Sequence, residues 1–216
     1  MNKILLTLSI IFQFKCFITS THPNSLSHSP RELQSLNPDY QLNGYTTSDQ
    51  DSPATARLLD ERWVIVWNSK TMDSDNYGIA SRVLYKNGTS NASETFINTY
   101  TTSAQKNPKV CGLQTGGYVV VWESAGQHSG STGVYARLFD PDTSPAGAEF
   151  VVGSSTSSNQ VEAALTCLPS GKWVVAYQSE TQEGADGSGI YARIFNDDGT
   201  EAKSEFHVNT YTTSTQ

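Results

Sequence analysis

Tyr45-Thr46-Thr47-Ser48-Asp49-Gln50 is the stretch on which the fold turns, because it returns as Tyr100-Thr101-Thr102-Ser103-Ala104-Gln105, eroded at Thr156 to Gln160, and as Tyr211 to Gln216. The four glutamines, Gln50, Gln105, Gln160 and Gln216, stand 55, 55 and 56 residues apart. A fixed period of this length marks a repeat array, in which one supersecondary unit is stacked on the next.

Within one period, Asn107 to Gln160, turn residues divide the chain into four short strand candidates. They are Pro108 to Leu113, the apolar run Tyr118 to Ser124, the alternating run Val134 to Phe139, and Glu149 to Val152. An unbroken apolar run predicts a strand covered on both faces, whereas alternation suits a partly exposed one. The intervening Ala125 to Gly133, rich in Gly and Ser, is expected to be a loop. Other copies match by position: Leu58, Leu113 and Leu168; Trp63, Tyr118 and Trp173; Trp67, Trp122 and Tyr177; Arg82, Arg137 and Arg193. Four antiparallel strands per unit with matched core aromatics predict an all-β, propeller-like array of about three blades, with a β-sandwich as the alternative. The divisions are a first blade over 41–105, with an extra outer strand at Tyr40 to Asn43, a second over 106–160 and a third over 161–216. The repeated phrase then falls at the crossover between blades, where Ser, Thr and Gln side chains suit unpaired backbone groups.

The N-terminus reads as a secretory signal peptide over residues 1–20: a basic start at Lys3, a short apolar run from Ile4 to Phe14, and small residues near Ser20. The run is too short to span a bilayer, so no membrane span is expected after its removal. Residues 21–40, with three prolines and no apolar period, read as a flexible linker, and His22 and His28 on it are not expected to hold a metal. The net charge of −7 falls by two more when Lys3 and Lys15 leave, which argues against a nucleic-acid partner. Charged residues are only 16% of the chain, the profile of a β protein with polar, uncharged loops.

Val119-Val120-Val121-Trp122-Glu123-Ser124, Asp186-Gly187-Ser188-Gly189-Ile190-Tyr191-Ala192-Arg193-Ile194-Phe195 and Phe206-His207-Val208-Asn209-Thr210-Tyr211-Thr212-Thr213 together resemble a tandem repeat of large secreted and cell-surface microbial proteins. In bacteria that repeat often accompanies cadherin-like and calcium-binding modules. The resemblance implies a surface location and an adhesive or structural use, with no established reaction. The first copy departs from the pattern at Asn68-Ser69 and at Tyr85-Lys86-Asn87-Gly88.

Cys111 and Cys167 are the cysteines that remain after signal removal. They sit at similar levels of neighbouring first strands, either confronting each other as a disulfide or pointing apart as two thiols. Asn87 and Asn91 begin N-glycosylation sequons in a turn. Asp73, Asp75, Asn76 and Asp186 lie in loops that offer oxygen ligands to calcium, but the equivalent middle loop carries no acid, and tight-turn chemistry accounts for these residues. No other cofactor is expected. Arg82, Arg137 and Arg193 invite comparison with the carboxylate-binding arginines of propeller sialidases, yet residues at one repeated position are separated by a whole blade rotation. The Asp-box of those enzymes is missing, and no Ser/His/Asp grouping or adjacent carboxylate pair stands out. The expected function is therefore a non-catalytic, secreted or cell-surface structural or adhesive module. A glycan-binding propeller is the alternative if Trp63, Tyr118 and Trp173 are open to sugars, and a sialidase-like glycosidase ranks below both. Expected partners are a protein or glycan at the cell surface, or a second copy closing the ring.

Overall fold

The computed structural model describes residues 41–71, 76–90, 93–129, 131–155, 157–180, 182 and 187–210. The expected signal peptide and linker with His22 and His28, the loop acids Asp73, Asp75 and Asp186, the Asn91 sequon and the last copy of the phrase lie outside the described residues.

Twelve strands form three four-stranded antiparallel sheets, and the described residues contain no helix. The first sheet is β1 (Gln50–Arg57), β2 (Trp63–Lys70), β3 (Tyr77–Leu84) and β4 (Thr95–Phe96). The second is β5 (Gln105–Gly112), β6 (Tyr118–His128), β7 (Ser131–Phe139) and β8 (Phe150–Val151). The third is β9 (Gln160–Leu168), β10 (Lys172–Glu180), β11 (Ser188–Asn196) and β12 (Glu201–His207). Strands follow in chain order within each sheet, so each period folds by local hairpins. Two details depart from the sequence reading. The Gly/Ser segment after Ser124 is a continuation of the β6–β7 hairpin, with Ala125 opposite Thr132 and His128 opposite Ser131, made possible by positive φ at Gly126 and Ser129. Gln41 to Asn43 do not form a strand.

Matched apolar positions become the inter-sheet cores. Val64, Val66 and Ile79 of the first sheet meet Tyr118, Val120 and Trp122 of the second. One period on, Val119, Val121 and Val134 meet Trp173, Val175 and Tyr177 of the third. Successive residues of β6 therefore face opposite neighbours, which is why it is apolar without interruption from Tyr118 to Trp122. In β10 burial alternates instead, because Trp173, Val175 and Tyr177 are covered while Val174 and Ala176 on the other face are only half-buried. Tyr118 stacks on Phe139 with centroids 4.7 Å apart, and Trp173 on Phe195 at 4.2 Å, the same pair one period later.

Cys111 and Cys167 are bonded, with Cα atoms 5.8 Å apart, and the bridge ties β5 to β9. Their opposite strand faces look at each other across the interface between the second and third sheets, so the confronting arrangement is the one realised. Such a bond fits an extracellular protein.

Gln50, Gln105 and Gln160 stand where the crossovers enter the three sheets, each almost fully buried. Gln50 Oε1 accepts from Trp67 Nε1 at 2.8 Å, and Gln105 Nε2 donates to the Thr102 carbonyl at 3.1 Å. Asn98 and Asn209 accept the backbone N–H of Ile79 and Ile190, both at 2.7 Å. The equivalent second-sheet position is Gly153, and there Gln160 takes over, accepting the Val134 N–H at 3.2 Å and donating to the Ser155 carbonyl at 2.9 Å. A Cβ on Gly153 would stand 2.2 Å from the Gln160 amide.

Carboxylates fasten each crossover to the next sheet. Glu149 accepts from the N–H groups of Thr99 (2.6 Å) and Tyr100 (3.2 Å), and Glu205 from Ser154 N–H at 2.8 Å. Glu94 does the same for Gly44 and Tyr45. Burial opposes ionisation of Glu205, but hydrogen bonds from Ser154, Tyr177 and Gln182 outweigh it and hold the carboxyl below its usual range.

Two outcomes follow from these contacts. Replacing both cysteines by serine removes a cross-link spanning 56 residues and lowers unfolding free energy by about 4 kcal/mol in the chain-entropy picture, read by urea titration beside the oxidised parent. Gly153→Ala forces Gln160 from both of its partners and costs about 1–3 kcal/mol, while Gly147→Ala, with nothing within 4 Å of its added Cβ, leaves the urea midpoint near that of the parent.

Candidate functional site

Each first strand opens on its buried glutamine and then takes one extra residue. The register slips between Asp51 and Ala54, between Lys106 and Lys109, and opposite Ala176 and Gln178. In each case the extra residue lies in the left-handed region: Ser52 (φ 52°), Asn107 (φ 57°) and Glu162 (φ 55°). A bulge of this kind withdraws an N–H from the ladder and redirects a side chain. Here the freed N–H is caught by the preceding sheet: Asn107 N–H donates to Asn68 Oδ1 at 3.0 Å, and Glu162 N–H to Glu123 Oε1 at 2.8 Å.

Those acceptors are joined to further polar groups. Asn68 Nδ2 donates to Asp51 Oδ1 at 2.6 Å, and Asn107 Nδ2 donates to Glu123 Oε2 at 2.9 Å. The result is an unbroken polar chain, Asp51–Asn68–Asn107–Glu123–Glu162, across the heads of the first strands of all three sheets. It links residues of three periods, through the carboxyls of Asp51 and Glu123 and the backbone N–H of Glu162. Glu123 is 9% exposed, and Glu162 is open to solvent. Burial pushes the Glu123 carboxyl up, and the nearby Glu162 pushes the same way, against the hydrogen bonds from Asn107 and the Glu162 N–H and the charge of Lys109. A buried carboxyl whose charged form is opposed in this way is suited to holding a proton.

The residues singled out in the sequence fall elsewhere. Tyr118, Trp122, Trp173 and Tyr177 are sealed in the inter-sheet cores, and Trp67 is buried on Gln50. Trp63 is half-buried at the start of β2. Tyr118 and Trp173, at 1% and 0% exposure, offer no ring to a sugar. Arg137 Nη1 donates to the Ile97 carbonyl at 2.9 Å and Arg193 Nη1 to the Val152 carbonyl at 2.8 Å, each reaching back to the preceding sheet, and Arg82 is half-buried on β3. Asn87 is exposed in the turn between β3 and β4, with its Oδ1 accepting from Thr89. No group of three metal-ligating side chains occurs among the described residues. Asp51, Glu123 and Glu162 were not read as a site from sequence. Their signal was a polar residue, Asn68, Glu123 or Gln178, directly after the aromatic in an otherwise apolar strand.

No protein-family model matches the chain, and no curated protein matches its sequence. Solved structures do match in fold. An alpha-L-arabinanase of Penicillium chrysogenum complexed with arabinobiose superposes with a TM-score of 0.52 at 15% identity, over 79% of this chain and 52% of that one. The GH93 alpha-L-arabinofuranosidase of Fusarium graminearum, with arabinobiose, gives 0.50 at 13% over 74% and 49%. A protein of unknown function from Dyadobacter fermentans DSM 18053 gives 0.50 at 16% over 70% and 40%. At these identities the likeness is one of fold, and the chain spans about half the length of these structures or less.

These neighbours overturn the expectation of a non-catalytic structural or adhesive module, and with it the exclusion of an enzyme, because this fold carries glycosidase chemistry in two of the three. The expectation failed for a physical reason. It looked for acids adjacent in sequence or in an Asp-box, whereas Asp51, Glu123 and Glu162 are gathered from separate periods by stacking of the sheets.

The raised Glu123 carboxyl has a measurable signature. Its native form binds a proton more strongly than the unfolded chain does, so stability falls as pH rises from the ordinary carboxyl range through the raised value. Glu123→Gln, which puts at this position the residue of the third period, Gln178, is expected to flatten that decline. Thermal midpoints of both proteins from about pH 4 to about pH 7 read it, and parallel curves would remove Glu123 as its source.

Proposed function

We propose that the three sheets are consecutive blades of a secreted propeller that hydrolyses glycosidic bonds, with arabinose-containing polysaccharide as its substrate class. The observation that carries this reading is the buried Glu123, bonded to the bulge N–H of the exposed Glu162 at the heads of the inner strands and with its carboxyl pushed up by burial. Its support is the fold shared with an arabinanase and an arabinofuranosidase. Blades place those heads around a common axis, so acids from different blades converge on a ligand held there. In this reading Glu123 donates the proton to the departing glycosidic oxygen, and Glu162 or Asp51 faces the anomeric carbon or the attacking water. Secretion rests on the N-terminal residues 1–20 and agrees with the bridge between Cys111 and Cys167.

Incubation of the purified chain with arabinan and arabinobiose, followed by reducing-sugar release, tests this. Hydrolysis is expected, with kcat reduced about 100-fold or more in Glu123→Gln at unchanged fold. Absence of hydrolysis by the parent, or an unaltered rate in Glu123→Gln, would sink the assignment.

A further inference from the structure

Three faces of this array are equivalent by the repeat, and one of them is left partly exposed among the described residues. On the face of the first sheet that looks toward the second, Leu58 is 2% exposed and Ile97 0%. One period on, Leu113 and Val152 are likewise 2% and 0% exposed beneath the third sheet. At the same positions of the third sheet, Leu168 is 36% exposed and Val208 49%. Val174, Ala176 and Ile190, whose counterparts in both earlier sheets are buried, are only half-buried. Unlike a scattered surface leucine, this is a complete copy of an internal interface.

The polar fittings of that interface are repeated too. Asn68 and Glu123 each take the bulge N–H of the following sheet, and the third sheet places Gln178, a side chain with the same acceptor, at that position. Arg137 and Arg193 reach back to the carbonyls of Ile97 and Val152, for which the third-sheet counterpart is Val208. Glu149 and Glu205 hold the N–H groups of Thr99 and Ser154, for which it is Thr210.

We propose that this face of β9–β12 is the docking surface for a further four-stranded blade of the same repeat. The docked blade brings two aromatics on its second strand over Val174 and Ala176, and a left-handed bulge whose N–H meets Gln178. It also brings an arginine for the Val208 carbonyl and a glutamate for Thr210. The occupant is a following blade and not the first blade of a second copy. In the first blade the required glutamate, Glu94, is already engaged by Gly44 and Tyr45, the counterparts of Thr210 and its neighbour. The inference rests on the blade reading of the sheets and is independent of the proposed hydrolysis.

The Cys111–Cys167 bridge supplies the test, since Cys111 corresponds to Thr166 of the third blade. The full chain is extended directly after Gln216 by a duplicate of residues 161–216, which keeps the period, and Thr166→Cys is introduced. The added blade, docked as proposed, sets its own Cys167 against position 166. The expected result is a second bridge between these two cysteines, located by peptide mass mapping. In the same extended chain without the substitution, backbone amides of β9 and β10 exchange more slowly than in the parent. Alkylation of both thiols under native conditions, pairing of the new cysteine with Cys111, or unchanged amide exchange would each overturn the proposal. So would a dimer of the unextended chain in light scattering that Val174→Lys dissolves, because that result gives the face to a second copy. None of these readouts involves hydrolysis, so failure here and failure of the glycosidase reading are told apart.

Discussion

A buried primary amide at the head of each first strand is the constraint on which the architecture rests. The chain must leave the far edge of one sheet and begin the near edge of the next, and that passage strips backbone groups of ladder partners in a place shielded from water. An unpaired polar group there costs about 1–3 kcal/mol. Gln105 and Gln160 meet this with one side chain that both donates to a crossover carbonyl and accepts, from the Asn98 amide and the Val134 N–H respectively, while Gln50 accepts from the Trp67 indole. Position is kept while partners vary, because an amide on a two-carbon stem reaches several groups from one Cα. The exchange at Gly153 shows the coupling: where the asparagine is missing, the glutamine moves into the room left by the absent Cβ.

Four strands per period were legible because the pattern is set by local chemistry. Apolar runs, glycine turns and aromatic matches each report one hairpin, and hairpins are what the chain forms. The long β6–β7 hairpin was misread since Ala125 to His128 carry turn-like residues. Pairing of His128 with Ser131 overrides that composition through two residues at positive φ. The disulfide stood undecided because strand faces can be counted along one chain, while the meeting of two faces is a property of the stack. The polar chain through Asp51, Asn68, Asn107, Glu123 and Glu162 was hidden more deeply. Its members lie on different periods, and the left-handed bulges that aim them leave no fixed residue type: Ser52, Asn107 and Glu162 share a backbone shape and nothing else.

The bulge also explains how a structural contact comes to hold an ionisable group. Asn68 and Glu123 do the same mechanical work, each catching an N–H from the next sheet. A neutral amide suffices for that work, as the first sheet demonstrates. Glu123 adds an ionisable group at the same place, buried and with its carboxyl pushed up, so a titratable group enters a repeated contact by a one-residue change.

The bond between Cys111 and Cys167 has a mechanical consequence. Tension drawn along the backbone crosses from β5 to β9 through sulfur, and residues 112–166, with all of β6, β7 and β8, lie outside the path of the load. β6, β7 and β8 are therefore shielded, and an extending force is borne by the first sheet, by β5 up to Cys111 and by the third sheet beyond Cys167. For a protein exposed to shear, the bridge decides which part of the array yields first.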